Sequence, residues 1–283
     1  MKNKSLLILY FIFFCTSAIA ENILIEAKNI TLDKDRVTSI FEKEVKVKTE
    51  NGVIKSEYVK YNKNTGALII KNNVVALDNE NNTIETEYAE YNEKQKIFTS
   101  KGPTTIVTSE KYILKGQNIT LDNKKRIISS KEESILEDQD GNKISLSNFE
   151  YLIKKNIFKS IGLISIKDKI GNNYNFSQIY IDTKKKEILG TDIKAFLNSQ
   201  DLKVNKKNNP RVFSNTAKLT KNNSTFDKSI FTLCEYRTND KCPPWTIQSS
   251  KMMHDNKKKT IYYDNAVIKV YDIPIFYFPK LSH

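Results

Sequence analysis

The sequence has few of the residues that catalysis and cofactor binding most often require. Its 283 residues include two histidines, His254 and His283, and eight glycines, no two of which form a Gly-x-Gly pair. The glycine motifs that bind dinucleotides and phosphates are therefore absent, as are the HExxH and GxSxG motifs. No convergent set of titratable groups, which an enzyme needs, is visible in the sequence. We therefore expect no catalysed reaction, no cofactor and no metal site.

Long apolar runs are also missing, apart from one near the N-terminus. It extends from residue 6 to residue 15, follows Lys2 and Lys4, and precedes Ala18 and Ala20, which form an A-x-A cleavage site. Because the run is shorter than the roughly 20 residues needed to cross a bilayer, the segment is typical of a cleaved signal peptide. We expect residues 1–20 to be this peptide and the mature chain to be exported. An uncleaved anchor is the alternative.

Cysteine is scarce, and two cysteines remain in the exported chain. Cys234 and Cys242 would face an oxidising compartment, in which disulfides form and persist. We expect these two to be bonded, which would stabilise the chain by about 2–3 kcal/mol for so short a loop. A bond to a partner or to a segment beyond this sequence is the alternative. A zinc site with His254 is disfavoured, because the spacing matches no common site and a fourth ligand is lacking.

Positive charge is what the sequence has in excess. The formal net charge is +13, which could attract anionic lipid, polysaccharide or nucleic acid. Much of the lysine lies in turn-like segments such as "TKKKE" and "DNKKKT", however, and accompanies abundant asparagine and isoleucine, as a compositional bias would produce. No basic helix or aromatic stacking motif is recognisable, so we expect no nucleic-acid partner.

A repeat of thirty residues organises the chain from Ile54 onward. Rows of thirty align without gaps, and four columns of the alignment are apolar in every row. The columns are Ile54, Ile84, Leu114, Ile144 and Tyr174; Tyr61, Tyr91, Leu121, Tyr151 and Ile181; Leu68, Phe98, Ile128, Phe158 and Ile188; and Ala76, Ile106, Leu136, Ile166 and Phe196. Asn62, Asn92, Asp122 and Asp182 follow the second column, where such residues favour a turn. Each row therefore predicts a strand, a tight turn and a second strand.

The rows predict an all-β fold. Apolar residues tend to alternate within each row, the strands are rich in β-branched and aromatic residues, and helical periodicity is nearly absent. Because one row cannot bury its apolar face alone, the rows must stack and share a core. We expect an elongated β-jelly roll or solenoid of about eight units, with residues 21–236 forming the repeats and 237–283 the last repeat and a junction.

The apolar columns have two interpretations. They pack as the closed core that any stacked β-fold needs, or they line a trough that is open to acyl chains. The candidate lipid-lining residues are Ile54, Leu68, Ile84, Phe98, Ile106, Leu114, Ile128, Leu136, Ile144, Phe158 and Ile166. The sequence alone does not distinguish a closed core from a groove.

From Phe231 the thirty-residue rhythm loosens, and a family resemblance becomes visible. The Cys-containing loop, the segment "PPWTIQSSKMMHD" and the segment "NAVIKVYDIPIFYFPKLS" follow one another. This succession resembles the lipopolysaccharide-assembly family LptD, also called OstA, and is most specific between Trp245 and Ser282. The preceding repeats resemble the OstA-type domain, which LptD shares with the periplasmic carrier LptA, and the repeats alone would also fit LptA or LptC.

The resemblance implies a periplasmic jelly roll that accepts lipopolysaccharide from LptA-type domains and passes its acyl chains into the outer membrane. In this family a C-terminal β-barrel, plugged by the lipoprotein LptE, completes the protein, and disulfides link the two parts. Carried over, the first rows from Ile23 form the edge that pairs with an LptA-type protein by strand addition. The junction to the barrel corresponds to Pro274, Phe276, Tyr277, Phe278 and Pro279. Because the sequence stops there, we expect a fragment, a truncated reading frame or a split gene.

The expected function is lipopolysaccharide binding and transfer at the periplasmic face of the outer membrane, without catalysis. A free-standing LptA-like carrier is an alternative of the same class. A secreted β-solenoid with a structural or adhesive role is an alternative of another class. A polysaccharide-active β-helix would need a carboxylate cluster on one face, for which Glu85 with Glu87 or Glu132 with Glu133 are the candidates.

Overall fold

A computed structural model describes residues 23–34, 36–200, 202, 204–205, 208–234 and 244–283. The predicted signal peptide and Cys242 lie outside the described residues. The strands are β1 (Leu24–Glu26), β2 (Asn29–Leu32), β3 (Thr38–Thr49), β4 (Gly52–Asn62), β5 (Ala67–Asp78), β6 (Thr83–Asn92), β7 (Ile97–Ser100), β8 (Pro103–Val107), β9 (Ile113–Gln117), β10 (Thr120–Asp122), β11 (Ile127–Ser130), β12 (Ser134–Glu137), β13 (Lys143–Leu146), β14 (Phe149–Leu152), β15 (Ile157–Lys167), β16 (Asn173–Asp182), β17 (Glu187–Phe196), β18 (Arg211–Leu219), β19 (Asn223–Thr232), β20 (Trp245–Asp255), β21 (Thr260–Val270) and β22 (Ile273–Ser282). One 3-10 turn, Ile153–Lys155, interrupts them. The predicted all-β fold is confirmed.

All 22 strands belong to one antiparallel sheet. Consecutive long strands pair with each other, as β3 does with β4 and β4 with β5. Between β6 and β15 each long strand is split in two, so that β7 and β8 pair with successive parts of β6. No helix in the described part of the chain has the length and apolar character needed to span a membrane.

A bend in the middle of each long strand folds this sheet into two layers. In β3, residues 42–44 are exposed between inward-facing Phe41 and Val45, and the register with β4 shifts at that point. Lys43 and Glu44 adopt positive φ angles of 65° and 53° there, as β-bulges often require. Because the long strands bend near their middle, the turns at the two ends of each lie close together. We call the side of the jelly roll with the bends the bend side and the opposite side, where the turns meet, the mouth.

The apolar columns become two ladders of cross-strand neighbours. In one layer, Ile54 pairs with Ala76, Ala76 with Ile84, and the ladder continues to Tyr174. In the other layer a ladder runs from Tyr61 to Ile188. The two ladders face each other and belong to one buried core.

Phe196 is a correction to the predicted columns, because it is 40% exposed while its neighbour Ala195 is buried. The bend explains the difference. Three exposed residues separate the inward-facing residues in β15 (161–163), but only Thr191 and Asp192 separate Gly190 from Ile193 in β17. Because the bend of β17 is one residue shorter, every later side chain in the strand points to the opposite face of the sheet. The repeat therefore loosens at β17 rather than at Phe231, and the later strands all bend across two residues.

Hydrogen bonds from turn side chains hold neighbouring rows in register. The predicted turns after the second column are confirmed: Asn62 Oδ1, for example, accepts bonds from the backbone of Asn64 and Thr65, both at 3.0 Å. At the other end of the strands, Asp78 accepts bonds from the backbone and side chain of Asn82. Asn82 Oδ1 in turn accepts a bond from the backbone of Ser109 in the next row, at 3.0 Å.

Candidate functional site

The structure brings all eleven candidate lipid-lining residues together in one place. Each of them points into the space between the two layers, and none is more than 6% exposed. They pack against one another as a closed core in the middle of the molecule. A cavity near Ile54, Ala76 and Phe98 has a volume of about 20 Å³, which is enough for one water molecule and far too small for an acyl chain. In this state the core between the two layers offers no room for an acyl chain beside these residues.

The interior is open at its two ends, where the terminal strands cover it on one side only. At the N-terminal end, Ile30 pairs with inward-facing Phe41, yet Ile30 is 58% exposed. At the C-terminal end, Phe276 and Phe278 pair with the inward-facing Ile268 and Ala266 and are 59% and 37% exposed. No strand of the described chain packs over either surface. The apolar interior therefore reaches the surface at β1 and β2 and at β22.

The predicted junction residues all lie on β22. Pro274, Phe276, Tyr277, Phe278 and Pro279 are exposed. The strand pairs with β21 from Ile273 to Ser282, with a register irregularity next to Pro274. Aromatic side chains therefore project from both faces of an edge strand. Their assignment as a passage to a barrel stays a prediction.

Charged residues close the mouth in the first half of the molecule. Lys96, in the turn after β6, donates to Glu50 Oε2 at 2.6 Å, although Glu50 lies in the turn at the opposite strand end. Arg126 forms ion pairs with Glu80 and with Asp78 Oδ2, the latter at 3.4 Å. These contacts join the two layers across the mouth, and Lys186 makes an equivalent one to Gln139 Oε1 at 2.8 Å. We call this row of contacts the charged seam; its members are Glu50, Asp78, Glu80, Lys96, Arg126, Gln139 and Lys186.

Sequence reasoning missed the charged seam, although the sequence contains its signal. Positions 50, 80, 110 and 140 are all acidic, and positions 96, 126 and 186 are basic, with Asn156 completing the second column. Both columns have the thirty-residue spacing of the apolar ones. They escaped notice because surface charge was attributed to turns, and because the contacts join turns at opposite ends of the strands.

Aromatic residues pack between the two layers near the C-terminus. The rings of Tyr263 and His283 stack with centroids 5.6 Å apart, and Phe231 lies 6.0 Å from Tyr263 and 5.7 Å from His283. We call these three residues the aromatic cluster. Burial lowers the pKa of His283 and raises that of Tyr263. The Tyr263 hydroxyl is buried and has no hydrogen-bond partner among the described residues.

The remaining chemistry-bearing residues form no reactive constellation. No group of three or more His, Cys, Asp or Glu with metal-binding geometry occurs within the described ranges. Burial raises the pKa of Tyr112 and Tyr151 to about 12, so both phenols stay neutral. Cys234 is half-buried, with Sγ 3.8 Å from the carbonyl oxygen of Trp245. Because Cys242 lies outside the described residues, the Cys234–Cys242 disulfide stays a prediction.

Fold and site together define an all-β, two-layered protein with a long apolar interior, closed along its mouth and open at its ends. No known family model matches the sequence, and no curated protein does. Among solved structures, it matches the crystal structure of LptH, the LptA homologous periplasmic component of the conserved lipopolysaccharide transport device from Pseudomonas aeruginosa. The identity is 14%, the match covers 60% of this chain and 82% of that chain, and the TM-score is 0.20. A likeness at this level supports no conclusion on function.

Proposed function

We propose that this chain binds the acyl chains of lipopolysaccharide and passes them towards the outer membrane, as the N-terminal part of an LptD-like protein. The observation that carries the proposal is the apolar interior that reaches the surface at β1 and β2 and at β22. Acyl chains bound there would gain about 0.8 kcal/mol for each buried methylene. The resemblance of the segment from Trp245 to Ser282 to the LptD family agrees with this function.

The two open ends give the proposed transfer a direction. Lipid enters at β1 and β2, moves along the ladders when the layers separate, and leaves beside the exposed aromatic residues of β22. The sequence has no phosphate-binding glycine loop, so the energy for release comes from partner proteins. The chain itself supplies the apolar path, and no bond is made or broken.

The proposed partners follow from the edges of the sheet. Strands β1 and β2 offer unpaired backbone groups on one side, to which an LptA-type protein adds a strand. Strand β22, which pairs with β21, has a free edge at the opposite end of the described sheet. The proposed barrel and LptE contact the chain there. The proposed location is the periplasmic face of the outer membrane, because aromatic side chains such as Phe276 and Tyr277 favour a membrane interface.

Site-specific photo-crosslinking tests the proposed function. A photoreactive phenylalanine replaces Phe278 at the open end, Phe158 in the closed core, or Tyr180 on the outer face. Phe278 and Tyr180 are matched in exposure, at 37% and 41%. We expect lipopolysaccharide adducts at position 278, adducts at position 158 only during active transfer, and none at position 180. Equal labelling at 278 and 180, or no labelling at 278 and 158, would contradict lipid binding.

A structural or adhesive role is the second candidate, and the packed middle of the core favours it. Leu114, Leu136 and Phe158 are fully buried in contact with their neighbours, as a scaffold requires. Hydrogen exchange distinguishes the two functions. A scaffold predicts that the backbone amides of β12 and β15 stay equally protected with and without lipopolysaccharide, whereas a lipid carrier predicts faster exchange when lipid separates the layers.

A further inference from the structure

We propose that the charged seam is a binding site for the phosphate groups of an anionic lipid. When the mouth opens, Lys96, Arg126 and Lys186 exchange their protein partners for lipid phosphates, while the alkyl chains of the same molecule enter the interior. This inference rests on the proposed function, because it requires that the interior accepts alkyl chains. It adds the site that recognises the head group and the side of the molecule on which the head group lies while the alkyl chains are in the interior.

The three basic residues lie where they could contact the charged head group of an amphiphile whose alkyl chain is in the interior. Each follows a turn, with a positive φ of 57° to 60°, so all three leave the backbone in the same way. Each also lies two residues before a member of the third apolar column, as Lys96 does before Phe98 and Arg126 before Ile128. Each precedes its strand by one residue, and its side chain reaches across the mouth to the other layer. The cations therefore extend the inward-facing column to the rim of the mouth, with charge outside and apolar side chains within.

Carboxylates occupy the place of phosphate in the closed state. Arg126 is 7% exposed and is paired with Asp78 and Glu80, which accept bonds from Nη2. Its other terminal nitrogen, Nη1, is buried and has no hydrogen-bond partner within the described residues. A guanidinium group can donate hydrogen bonds from both terminal nitrogens to two oxygens of one phosphate. Arg126 thus retains a donor that a phosphate can use and its present partners do not.

The Lys96–Glu50 pair of the seam is weak enough to open. The side chains of Lys96 and Glu50 are 27% and 56% exposed, and ion pairs at such sites add little to stability. Asn156 occupies the position that the three basic residues occupy in their rows, so it supplies no cation to the seam. A phosphate carries more negative charge than a carboxylate, so it competes well for the same cations once it arrives.

Binding of two surfactants with the same alkyl chain tests the inference. Dodecyl phosphate and dodecyl maltoside are titrated calorimetrically, below their critical micelle concentrations, into the mature chain and into three double variants. Glu50→Gln with Glu80→Gln removes acidic partners, and Lys96→Gln with Lys186→Gln removes cations. Glu90→Gln with Lys101→Gln is the control, because this ion pair joins β6 to the bend outside the mouth.

Opposite effects on the anionic surfactant are expected. Removing the carboxylates strengthens dodecyl phosphate binding by about two- to fivefold, and removing the cations weakens it by a similar factor, as for partly exposed ion pairs. Dodecyl maltoside has no charge, so its affinity stays the same or rises in both variants, since both loosen the mouth. The control variant binds both surfactants like the parent chain.

The outcomes separate this inference from the proposed function. If dodecyl phosphate binding changes in the same direction in both seam variants, or matches the control, the seam is a closure alone and the inference is wrong. If no folded chain binds either surfactant, the interior does not accept alkyl chains and the proposed function itself is overturned. Circular dichroism verifies folding; should a double variant unfold, Glu50→Gln and Lys96→Gln alone give the same comparison.

Discussion

Two regions of the molecule hold the layers together with different chemistry. From β3 to β17 the charged seam joins the layers across the mouth, whereas near the C-terminus the aromatic cluster packs between the layers in the interior. The change coincides with the loss of the three-residue bend at β17. Where rows repeat every thirty residues, charges recur in register and can pair across the mouth. Where the bends shorten, that register is lost.

The difference indicates where the two layers can separate. Partly exposed ion pairs such as Lys96–Glu50 are screened by salt and exchange partners readily, while the buried rings of Phe231 and Tyr263 can separate only by exposing apolar surface to water. We therefore infer that the layers separate first along the charged seam and stay together at the aromatic cluster. The predictions below test this contrast, beginning with the largest effect.

Tyr263→Ala should have the largest effect on stability. Tyr263 is 1% exposed and contacts both other rings of the aromatic cluster, and removing a buried aromatic ring lowers the free energy of unfolding by about 3–5 kcal/mol. Tyr263→Phe keeps the ring and removes a hydroxyl without a partner in the described chain, so it should be neutral or stabilising. Urea denaturation of both variants measures this. A large loss in Tyr263→Phe would mean that the hydroxyl has an important partner.

Arg126→Met should have the next largest effect and is the most severe break in the charged seam. It leaves Asp78, whose side chain is 5% exposed, without its cation, and breaking a buried pair is costly. Asn82 still donates to Asp78, so we expect a loss of about 2–3 kcal/mol. Lys96→Met, at an exposed pair, should lower the free energy of unfolding by less than about 1 kcal/mol. Equal losses of unfolding free energy in the two variants would contradict the distinction between the buried Arg126–Asp78 pair and the partly exposed Lys96–Glu50 pair.

Gly190→Ala tests the boundary between the two halves. Gly190, in β17, faces the interior of the molecule, and a Cβ atom there would lie 2.2 Å from Cδ1 of Phe176. The Phe176 ring must move, which should lower the free energy of unfolding by about 1–3 kcal/mol. Thermal unfolding measures the loss, and Phe176→Leu combined with Gly190→Ala should recover part of it. No recovery in the double variant would show that the strain lies elsewhere.

The fold was more predictable from the sequence than the site. Apolar columns such as the one from Ile54 to Tyr174 set both the strands and their register, because a slip of one residue would expose a whole ladder. Phe196 was mispredicted because the length of a bend leaves no apolar signal. The closed interior was not predictable, since packing and lipid binding select the same side chains. The charged seam joins residues about 46 positions apart across the mouth, which a row-by-row alignment does not bring together.

The smallest predicted effect is a dependence of the aromatic cluster on pH. Burial against Tyr263 and Phe231 lowers the pKa of His283 below its usual 6.5. The unfolded chain therefore takes up a proton first as the pH falls. The free energy of unfolding should decline below about pH 6.5 and level off once the folded state is also protonated. The loss should be less than the about 1.4 kcal/mol that a full pKa unit represents, because His283 is partly solvated.

His283→Phe keeps an aromatic ring in the cluster and removes the titrating group. The difference in unfolding free energy between this variant and the parent chain, measured by urea denaturation from pH 5 to pH 8, isolates His283 from every other titrating residue. It should grow as the pH falls, in favour of the variant. In the charged half, Lys96→Gln leaves His283 in place, so its difference from the parent should not show the change with pH that His283→Phe produces. A constant difference for His283→Phe would mean that the His283 ring is as accessible to protons in the folded chain as in the unfolded one, and that the aromatic cluster does not shield it from solvent.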